Sequence, residues 1–547
     1  MNITVRPGCG TRQGGRGMKI RACFVDGQRL RSRLTRTFDP ASLSLRQIVF
    51  VAVILSAMSS LVSAQSITAI PDPWGFGLAQ PQLSGDGLVV VGRDNSIYAF
   101  RWSAGIGTVS VGNLGGGSAF ARAVNFDGSV IVGNSPGGAG SQNKAFRWTS
   151  EDGMVSLGTL GSIVSYGYGV SGDGSVVTGY SATAAGAYRA FRWTSAGGME
   201  GIGDQPLYPQ GISADGNVIV GYLVSGNSRA FRWTSIGGLQ DLGTLVGANS
   251  SIANATSADG SVVVGQSNLL SGGFSVAFRW TREGGMQSVA NHPSSAIDVN
   301  EDGTKVVGSM NNRAFLWTPT LGAVDLNTYF PTRCLNTTGW SLAQATGISS
   351  DGLTMCGTGT HNNKPVVWIA SLLKFVQQPA SSAPCSTGSA TFSAPAVGAA
   401  LSYQWQWRHS GTVDWNDVAD GLNLNTESGL PAFSASGSQT ATLIRLPCEG
   451  CPSDPSNSAS EFRCLVSNAC ETITSNAANF TACVADLTCD GQVDDSDFVP
   501  FAAAYNTLDC ADPAMPLDCL SDLNQDGFVD DSDFVIFAAA YNQLSCN

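Results

Sequence analysis

Short apolar runs recur along residues 66–371, and each follows an Asp-Gly pair and ends in a glycine. Self-similarity at a nearly fixed spacing is the signature of a repeat architecture. Asp-Gly accepts the positive φ angles of a tight hairpin turn. The pattern predicts a strand, a turn and a strand in every unit. The seven copies are residues 86–92, 127–133, 173–179, 215–221, 259–265, 302–308 and 351–357.

A second phrase, Ala-Phe-Arg-Trp, alternates with the first. Together the phrases predict four strands per unit, at 166–171, 175–180, 188–194 and 199–202 in the third unit. Phe191 and Trp193 share one face of their strand by period-two alternation, while Ala190 and Arg192 share the other, so the aromatic pair is expected to pack between units. The phrase ends at Trp102, Trp148, Trp193, Trp233 and Trp280, and degenerates at 314–317 and 365–368.

Seven four-strand units predict a mainly β fold that begins with a seven-bladed β-propeller over residues 66–371. A β-solenoid is the alternative. The two phrases resemble the extracellular HAF-type repeat, named for its His-Ala-Phe core, and the resemblance covers all seven units. The histidine is absent, so no role of that residue transfers to this chain. Its place is taken by Tyr98, Lys144, Arg189, Arg229, Val276, Arg313 and Lys364.

No catalytic motif of the repeat region has the context it needs. The repeated aspartates could form a carboxylate ring, but turn chemistry accounts for them. Residues 133–137 match a nucleophile elbow and 167–172 a dinucleotide fingerprint, yet both lie in strand patterns with no following helix. His292, His361 and His409 are widely separated. The sequence therefore favours a protein that is not an enzyme.

The amino terminus resembles a secretory signal with a long basic leader, residues 1–64. An apolar run at 48–58 leads to the small residues Val62 and Ala64, and the run is too short to span a bilayer. Either Met1 or Met18 can be the start. Cleavage leaves 19 basic and 39 acidic residues, a net charge of −20. That charge disfavours nucleic-acid binding, and we expect a secreted or cell-surface protein without a transmembrane segment.

A second pattern of short strands covers residues 374–483 and resembles an immunoglobulin-like β-sandwich. Its marks are the aromatic run 403–407 and the run 462–466. Phe392-Ser393-Ala394 stands where the early cysteine of that family is expected, and Phe462 replaces the corner tyrosine. We expect a spacer or binding domain there.

Twelve cysteines remain after cleavage, an even number that suits disulfides in an oxidising compartment. Cys334 and Cys356 are candidates for a bridge within the last unit, although spacing alone does not fix the connectivity. Cys448 and Cys451 have metal-like spacing without a second pair, which favours a disulfide. The candidates for mutual pairing in the middle domain are Cys385, Cys448, Cys451, Cys464 and Cys470.

The tail, residues 484–547, contains thirteen Asp and no Lys, Arg or Glu. Uncompensated, such charge opposes compaction. The acids follow the frame of a 12-residue calcium loop, with ligands at positions 1, 3, 5, 7, 9 and 12 and a glycine at 6. Two frames 36 residues apart predict two calcium ions. The ligand positions are Asp486, Thr488, Asp490, Gln492, Asp494 and Asp497, then Asp522, Asn524, Asp526, Phe528, Asp530 and Asp533.

Each loop ends in Asp, lacks a preceding helix pattern and is followed by one helix. This paired F-hand form resembles a dockerin, specifically the Cys-containing kind of extracellular bacterial proteins, and implies a cohesin-like or cell-surface partner. Loop positions 10 and 11 would then face the partner. Thr488 and Pro500 predict a weaker first site. The partner-facing positions are Asp495, Ser496, Asp531 and Ser532.

Two arrangements of the tail cysteines stay open: Cys489–Cys546 with Cys510–Cys519, or Cys483–Cys510 with Cys519–Cys546. Two functions also stay open. The first is a secreted, non-enzymatic binding or structural protein, anchored through its dockerin-like tail, whose propeller binds a glycan or a protein. The alternative is an extracellular propeller enzyme that acts on polysaccharide and is carried by the same tail.

Overall fold

The structure is a computed structural model. The fold is mainly β. The structure describes residues 66–541 with interruptions. The first 65 residues, which include the predicted signal and Met18, lie outside the described part. The interruptions are residues 76, 95–97, 139–141, 271, 291–292, 383–388, 399, 410–411, 425–430, 447–458, 482–484, 489–492, 516–518, 520 and 525. No helix within the described ranges is long and apolar enough to cross a bilayer.

Residues 66–371 form seven four-stranded antiparallel sheets, numbered here in chain order. Sheet 1 contains β2 (Leu78–Leu83), β3 (Val89–Asp94), β4 (Ala99–Ser103) and β5 (Gly107–Ser110). Sheet 2 contains β6 (Phe120–Val124), β7 (Ile131–Pro136), β8 (Asn143–Thr149) and β9 (Gly153–Ser156). Sheet 3 contains β10 (Gly161–Val170), β11 (Val176–Thr183), β12 (Tyr188–Thr194) and β13 (Gly198–Ile202).

Sheets 4 to 6 repeat the same order of strands. Sheet 4 contains β14 (Leu207–Ile212), β15 (Val218–Ser225), β16 (Asn227–Thr234) and β17 (Gly238–Asp241). Sheet 5 contains β18 (Ala248–Thr256), β19 (Val262–Leu269), β20 (Ser275–Thr281) and β21 (Gly285–Ser288). Sheet 6 contains β22 (Ser294–Val299), β23 (Val306–Met310), β24 (Arg313–Thr318) and β25 (Gly322–Asp325).

Sheet 7 joins the two ends of this region. It contains β26 (Trp340–Ile348), β27 (Thr354–His361), β28 (Lys364–Ser371) and β1 (Ser66–Ala69). β1 pairs antiparallel with β28, with Ser66 opposite Ser371. Helix α1 (Leu326–Tyr329) and a 3₁₀ turn (Phe330–Arg333) lead into this sheet. Such four-stranded sheets are typical of propeller blades.

A circle of main-chain hydrogen bonds connects the seven sheets beside their Asp-Gly turns. Six bonds run from the residue before each aspartate to its counterpart in the next sheet, and Asp86 N donates the seventh to the Phe126 carbonyl. Their lengths are 2.8 to 3.3 Å. Ser350 N donates to the Gly85 carbonyl, so sheet 7 is bonded back to sheet 1. The carbonyls belong to Gly85, Phe126, Gly172, Ala214, Ala258, Glu301 and Ser350.

The turn aspartates are structural, as the turn chemistry predicts. In sheet 3 the Ser171 hydroxyl donates to Asp173 Oδ1 at 2.6 Å, and Ser175 N donates to the same oxygen at 3.0 Å. Val176 N donates to Ser171 Oγ at 2.9 Å, which closes the hairpin. The hydrogen bonds from Ser171 and Ser175 hold the pKa of the Asp173 carboxyl below its ordinary value.

Two glycines per unit are required by packing. Gly216, in the turn of sheet 4, has φ +71°, and a Cβ there would lie 2.7 Å from Val176 Cγ2 of sheet 3. The glycine that ends each apolar run faces a β-bulge in the first strand, as between Gly167 and Gly169 opposite Gly179. A Cβ on Gly179 would lie 1.9 Å from the Tyr166 carbonyl oxygen. The bulge therefore explains why the run ends in glycine.

Both faces of the Ala-Phe-Arg-Trp strand pack between units, which corrects the expectation that the aromatic pair alone does so. Phe191 is fully buried in a cluster with residues of sheet 2, while Ala190 is fully buried against sheet 4. Arginine strengthens the second face, since Arg147 Nε donates to the Gly174 carbonyl of the next unit at 3.2 Å. Trp193 is only half-buried.

Residues 374–481 form a separate group of sheets. The first sheet contains β30 (Ala390–Ser393), β36 (Thr442–Leu446), β35 (Pro431–Ser436) and β34 (Gly421–Leu424). The second contains β33 (Asn416–Asp417), β32 (Ser402–His409), β37 (Ala459–Ser467), β38 (Thr472–Thr474) and β39 (Ala478–Thr481), and β29 (Lys374–Phe375) pairs with β31 (Ala396–Val397). Trp405, Trp407 and Phe392 lie in the core between them.

The cysteine pairing differs from the expectation. Cys334 is bonded to Cys470, which joins the region before sheet 7 to the second group of sheets. Arg333 and Glu471 form an ion pair of 2.6 Å beside this disulfide. Cys356 is instead a buried free thiol in β27, and burial raises its pKa to about 12.

The mutual pairing expected in the middle domain is wrong for the two cysteines that can be checked. Cys464 is a buried free thiol in β37, while Cys470 bonds outside the domain. Phe392 stacks on Phe462 with ring centroids 4.8 Å apart, so packed rings occupy this part of the core. Cys385, Cys448 and Cys451 lie outside the described residues.

Gly216→Ala should destabilise the protein by about 3 kcal/mol. An alanine in this left-handed conformation costs ~1–2 kcal/mol, and its methyl group would press on Val176, which costs a further ~1–3 kcal/mol. Gly226→Ala is the matched control in the same sheet, because Gly226 has φ +80° and nothing within 4 Å of its Cβ position. It should cost only ~1–2 kcal/mol. Urea unfolding measures both, and equal losses would show that the contact with Val176 is unimportant.

Candidate calcium-binding site

Two helices of equal length follow the two acidic loops, as the repeat predicts. Helix α2 is Asp495–Tyr505 and helix α3 is Asp531–Tyr541. Asp494 caps α2 because its Oδ1 accepts from Ser496 N at 2.8 Å, and a capping box with Asp497 completes the turn. Pro500 does not shorten α2, since both helices run for 11 residues.

The two loop–helix repeats pack on each other through aromatic rings. Phe501 and Phe537 stack with centroids 4.8 Å apart. Phe498 contacts Phe537 at 6.0 Å, and the reciprocal pair Phe501 and Phe534 lies at 6.2 Å. These matching distances describe a local pseudo-two-fold arrangement. Ala504 is buried with Phe501 in the same cluster.

In the second loop, side chains of the predicted ligand positions accept hydrogen bonds from the loop's own main chain. Asp522 Oδ2 accepts from Gly527 N at 2.9 Å, and Asn524 Oδ1 accepts from Asp526 N at 2.9 Å. Asp526 Oδ1 accepts from Phe528 N at 3.0 Å. Gly527, at position 6, has φ +94°, which a side chain would disfavour. The backbone therefore turns where the predicted frame requires it.

The position-12 aspartates tie each loop to its helix and are fully buried. Asp533 Oδ1 accepts from Leu523 N at 2.7 Å and Asn524 N at 2.9 Å, while Oδ2 accepts from Asp530 N at 2.9 Å. Asp497 makes the equivalent bonds, from Thr488 N and from Asp494 N, both at 2.9 Å.

The first loop is less completely described. Asp486 is buried, and the Thr488 hydroxyl donates to Asp497 Oδ1 at 3.0 Å. Asp490 and Gln492 lie outside the described residues, as does Cys489. A hydroxyl is a weaker calcium ligand than the amide oxygen of Asn524, because Ca²⁺ prefers carboxylate, amide and carbonyl oxygens.

The donor set fits a hard cation. In the part of the chain that the structure describes, Cys510, Cys519 and Asp522 are the one set of three metal-ligating groups within 4.8 Å of one another. Cys510 and Cys519 are bonded to each other, so they are not thiolate ligands. The other loop donors are carboxylate, amide and main-chain carbonyl oxygens, which Ca²⁺ prefers.

The Cys510–Cys519 bond agrees with the first of the two predicted tail arrangements. The second arrangement is excluded, because it needs Cys510 and Cys519 for other partners. Cys483 and Cys546 lie outside the described residues, so the expected Cys489–Cys546 bond stays a prediction.

Each helix start carries a carboxylate that the other repeat binds, a contact that the sequence reasoning missed. The Tyr541 hydroxyl donates to Asp495 Oδ1 at 2.5 Å, and the Tyr505 hydroxyl donates to Asp531 Oδ1. Hydrogen bonding to Asp531 raises the pKa of Tyr505. The identical spacing from Asp to Tyr in both repeats was the available signal.

Asp298 in β22 is the one acid at its repeat position, where the other units have Gln82, Ala123, Gly169, Gly211, Ala255 and Gly347. Its Oδ1 accepts from Val299 N at 2.8 Å and its Oδ2 from Ile348 N at 2.9 Å. Burial raises its pKa to about 6.

The histidines and the two accidental motifs have no catalytic setting in the described residues. His361 stacks on Trp340 at 4.3 Å, and His409 lies edge-on to Trp407 at 5.0 Å. His292 lies outside the described part. The elbow-like residues 133–137 and the fingerprint-like residues 167–172 belong to strand and hairpin segments.

No family model matches the sequence, and no curated protein matches it. Among solved structures, the chain is similar to TolB from Acinetobacter baumannii, with a TM-score of 0.32 and 14% sequence identity. The match covers 46% of this chain and 62% of the TolB chain, so it spans less than two thirds of that protein.

Stability should depend on the protonation of Asp298. The pKa of this carboxyl is raised to about 6 in the folded chain, against an ordinary value of ~3.9 in the unfolded chain. The folded state then binds more protons in this window, so stability falls as the pH rises from ~4 to ~7, by about 3 kcal/mol at most.

Asp298→Asn should remove the pH-dependent loss of stability, because asparagine does not ionise. The unfolding free energy of the variant minus that of the native chain should therefore rise between pH ~4 and ~7. Chelated samples keep calcium out of the comparison. Asp204→Asn is the control at a 93% exposed carboxylate. A constant difference between the Asp298 variant and the native chain would contradict the expectation.

Proposed function

We propose that this protein is a secreted, non-enzymatic binding and structural protein, anchored through a calcium-dependent, dockerin-like tail to a partner on a cell surface or extracellular assembly. The observation that carries the proposal is the pseudo-two-fold symmetry of the tail. Phe498 and Val499 are 44% and 68% exposed, and Phe534 and Val535 are 45% and 67% exposed. Two equivalent apolar faces suit capture of one partner in either of two orientations.

The front of the protein is proposed to be a seven-bladed β-propeller with HAF-type repeats. Seven sheets bonded in a circle, with β1 completing the last of them, support this fold. The following domain is proposed to be immunoglobulin-like. Trp405, fully buried in β32, supports that reading, whereas the free thiol of Cys464 departs from the antibody pattern.

Two calcium ions are proposed as the cofactor of the tail. Side chains at positions 1, 3, 5 and 12 would hold each ion, with the main-chain carbonyls of Gln492 and Phe528 and a water near Asp494 or Asp530. Bound calcium would neutralise the clustered carboxylates. The chain itself supplies the frame, because Asp497 and Asp533 already hold the loop amides and start the helices.

Export is proposed through the predicted signal over residues 1–64. Two disulfides, Cys334–Cys470 and Cys510–Cys519, support an oxidising compartment. Among the described residues, Asp298 is the one acid at its repeat position, so this position supplies no carboxylate pair of the kind that glycoside hydrolysis uses. We take this as favouring binding over the alternative of a polysaccharide-acting enzyme.

Titration of the full chain should give two calcium ions. Asp490→Ala should weaken only the first site and Asp526→Ala only the second, each by at least about tenfold, because each change removes a position-5 ligand. Saturating calcium, at ~100 times the Kd of a site, should stabilise the tail by about 2.7 kcal/mol per site. Loss of both sites from either change would indicate one shared ion.

Partner capture should survive the loss of either helix face but not of both. Val499→Glu and Val535→Glu should each retain capture of the full chain by cell envelopes of its source, and the double variant should lose it while binding two calcium ions. Val376→Glu, at a site 50% exposed in the middle domain, is the matched control. Capture that persists in the double variant, or in chelator, would contradict the dockerin-like mechanism.

A further inference from the structure

A continuous row of aromatic rings crosses two neighbouring sheets, sheet 3 and sheet 4. Tyr168 of β10 and Tyr180 of β11 belong to sheet 3, and Tyr208 of β14 and Tyr222 of β15 belong to sheet 4. Tyr166 flanks the row in β10, with its ring 5.0 Å from that of Tyr180. We name these five residues the tyrosine row.

The rings of the tyrosine row are in contact from sheet to sheet. Tyr168 and Tyr180 stack at 5.6 Å, Tyr180 and Tyr208 meet edge to face at 5.1 Å, and Tyr208 and Tyr222 stack at 5.1 Å. All are half-buried, so each keeps part of its ring exposed. Tyrosine is amphipathic and rigid, which makes such a surface suited to recognition.

Sheet 2 adds a cation at the end of the row. The Arg122 guanidinium lies 4.5 Å from the centroid of the Tyr168 ring, and its Nε donates to Asn134 Oδ1 at 2.8 Å. Asn134 occupies the position of Tyr180 in its own sheet, and its Nδ2 donates to Asn143 Oδ1 at 3.0 Å. The terminal nitrogens of Arg122 make no ion pair with the described residues.

A second cation follows on sheet 1. Arg93 lies 5.3 Å from the centroid of the Phe120 ring, and its Nε donates to Gln80 Oε1 at 3.1 Å. Neither Arg93 nor Arg122 belongs to an ion pair of the described chain, whereas Arg189, Arg229 and Arg313 pair with Asp204, Asp241 and Asp325. Two arginines without acids beside the row form a local positive surface on an acidic protein.

We infer that the tyrosine row with Arg122 and Arg93 is a binding site for an acidic oligosaccharide, one that carries uronate carboxylates on a chain of pyranose rings. The inference rests on the proposed function, in which the propeller binds a ligand. The pyranose rings of a sugar offer apolar faces that can stack on the tyrosine rings. The guanidinium groups match carboxylates in charge and geometry. Nucleic acid would suit rings and cations too, and its binding is an outcome of the test that follows.

The test measures binding of the full chain, in chelator, to an oligogalacturonate, to its carboxyl-reduced form and to oligothymidylate. The oligogalacturonate should bind, and the carboxyl-reduced form should bind at least about tenfold more weakly, because a charged hydrogen bond is worth at least ~1.4 kcal/mol. Tighter binding of oligothymidylate would overturn the choice of ligand. Equal binding of the reduced sugar would overturn the role of the arginines.

Variants locate the site. Arg122→Gln should weaken binding of the oligogalacturonate about tenfold and leave the reduced form unchanged. Tyr208→Ala should lose both sugars, whereas Tyr208→Phe keeps the ring and should bind within about threefold of the native chain, since it loses one hydrogen bond at most. Arg282→Gln removes the same charge from an exposed position in the hairpin between β20 and β21 and should change nothing.

Failure of this site is distinguishable from failure of the proposed function. The site is wrong if no sugar binds, or if binding survives both Arg122→Gln and Tyr208→Ala. Calcium-dependent capture through the tail would still stand in either case. Shortening of the oligogalacturonate during incubation would instead overturn the non-enzymatic function. Unchanged thermal unfolding of each variant shows that lost binding is not lost folding.

Discussion

The circle of seven main-chain hydrogen bonds is the constraint on which the front of the molecule depends. Each bond joins the residue before one Asp-Gly turn to the next sheet, except at Asp86. The bonds can form only if the turns of all seven sheets lie at the same level and in the same orientation, so every unit must form the same hairpin. That requirement explains the seven repeats of Asp-Gly and the serine or asparagine two residues before each aspartate, because these side chains close the hairpin internally. The geometry of the circle of hydrogen bonds therefore explains why the same sequence phrase recurs in every unit.

Local chemistry made much of this region predictable. Asp-Gly turns, apolar runs and the Ala-Phe-Arg-Trp strands lie where the pattern placed them, since each is decided within a few residues. The assignment of strand faces was incomplete because every blade-like sheet has neighbours on both sides. Ala190 is as buried as Phe191 for that reason, although period-two alternation points them in opposite directions. The tyrosine row was invisible in the sequence, because its members are scattered over four strands and belong to no repeat phrase.

Cysteine pairing shows the same limit. A bond within the last unit was one candidate, but Cys356 is buried in its strand, while Cys334 follows a 3₁₀ turn and is bonded to Cys470 in the second group of sheets. Such a contact depends on how two domains meet, which no local pattern encodes. In the tail, by contrast, the spacing within each loop was enough to predict its local geometry. Gly527 has the positive φ angle of a turn, and the side chains of Asn524 and Asp533 accept hydrogen bonds from main-chain amides of the loop. The spacing within the loops could not reveal that Tyr505 and Tyr541 each donate a hydrogen bond to the other repeat, since those contacts depend on the packing of α2 against α3.

The pairing of β1 with β28 has a consequence for folding. Ser66 lies opposite Ser371, so β1 finds its partner only after some three hundred further residues have been made. Contacts between residues that lie far apart in the sequence form slowly. The circle of sheets therefore stays open until its last strands are available. A fold that ends where it begins delays its own completion.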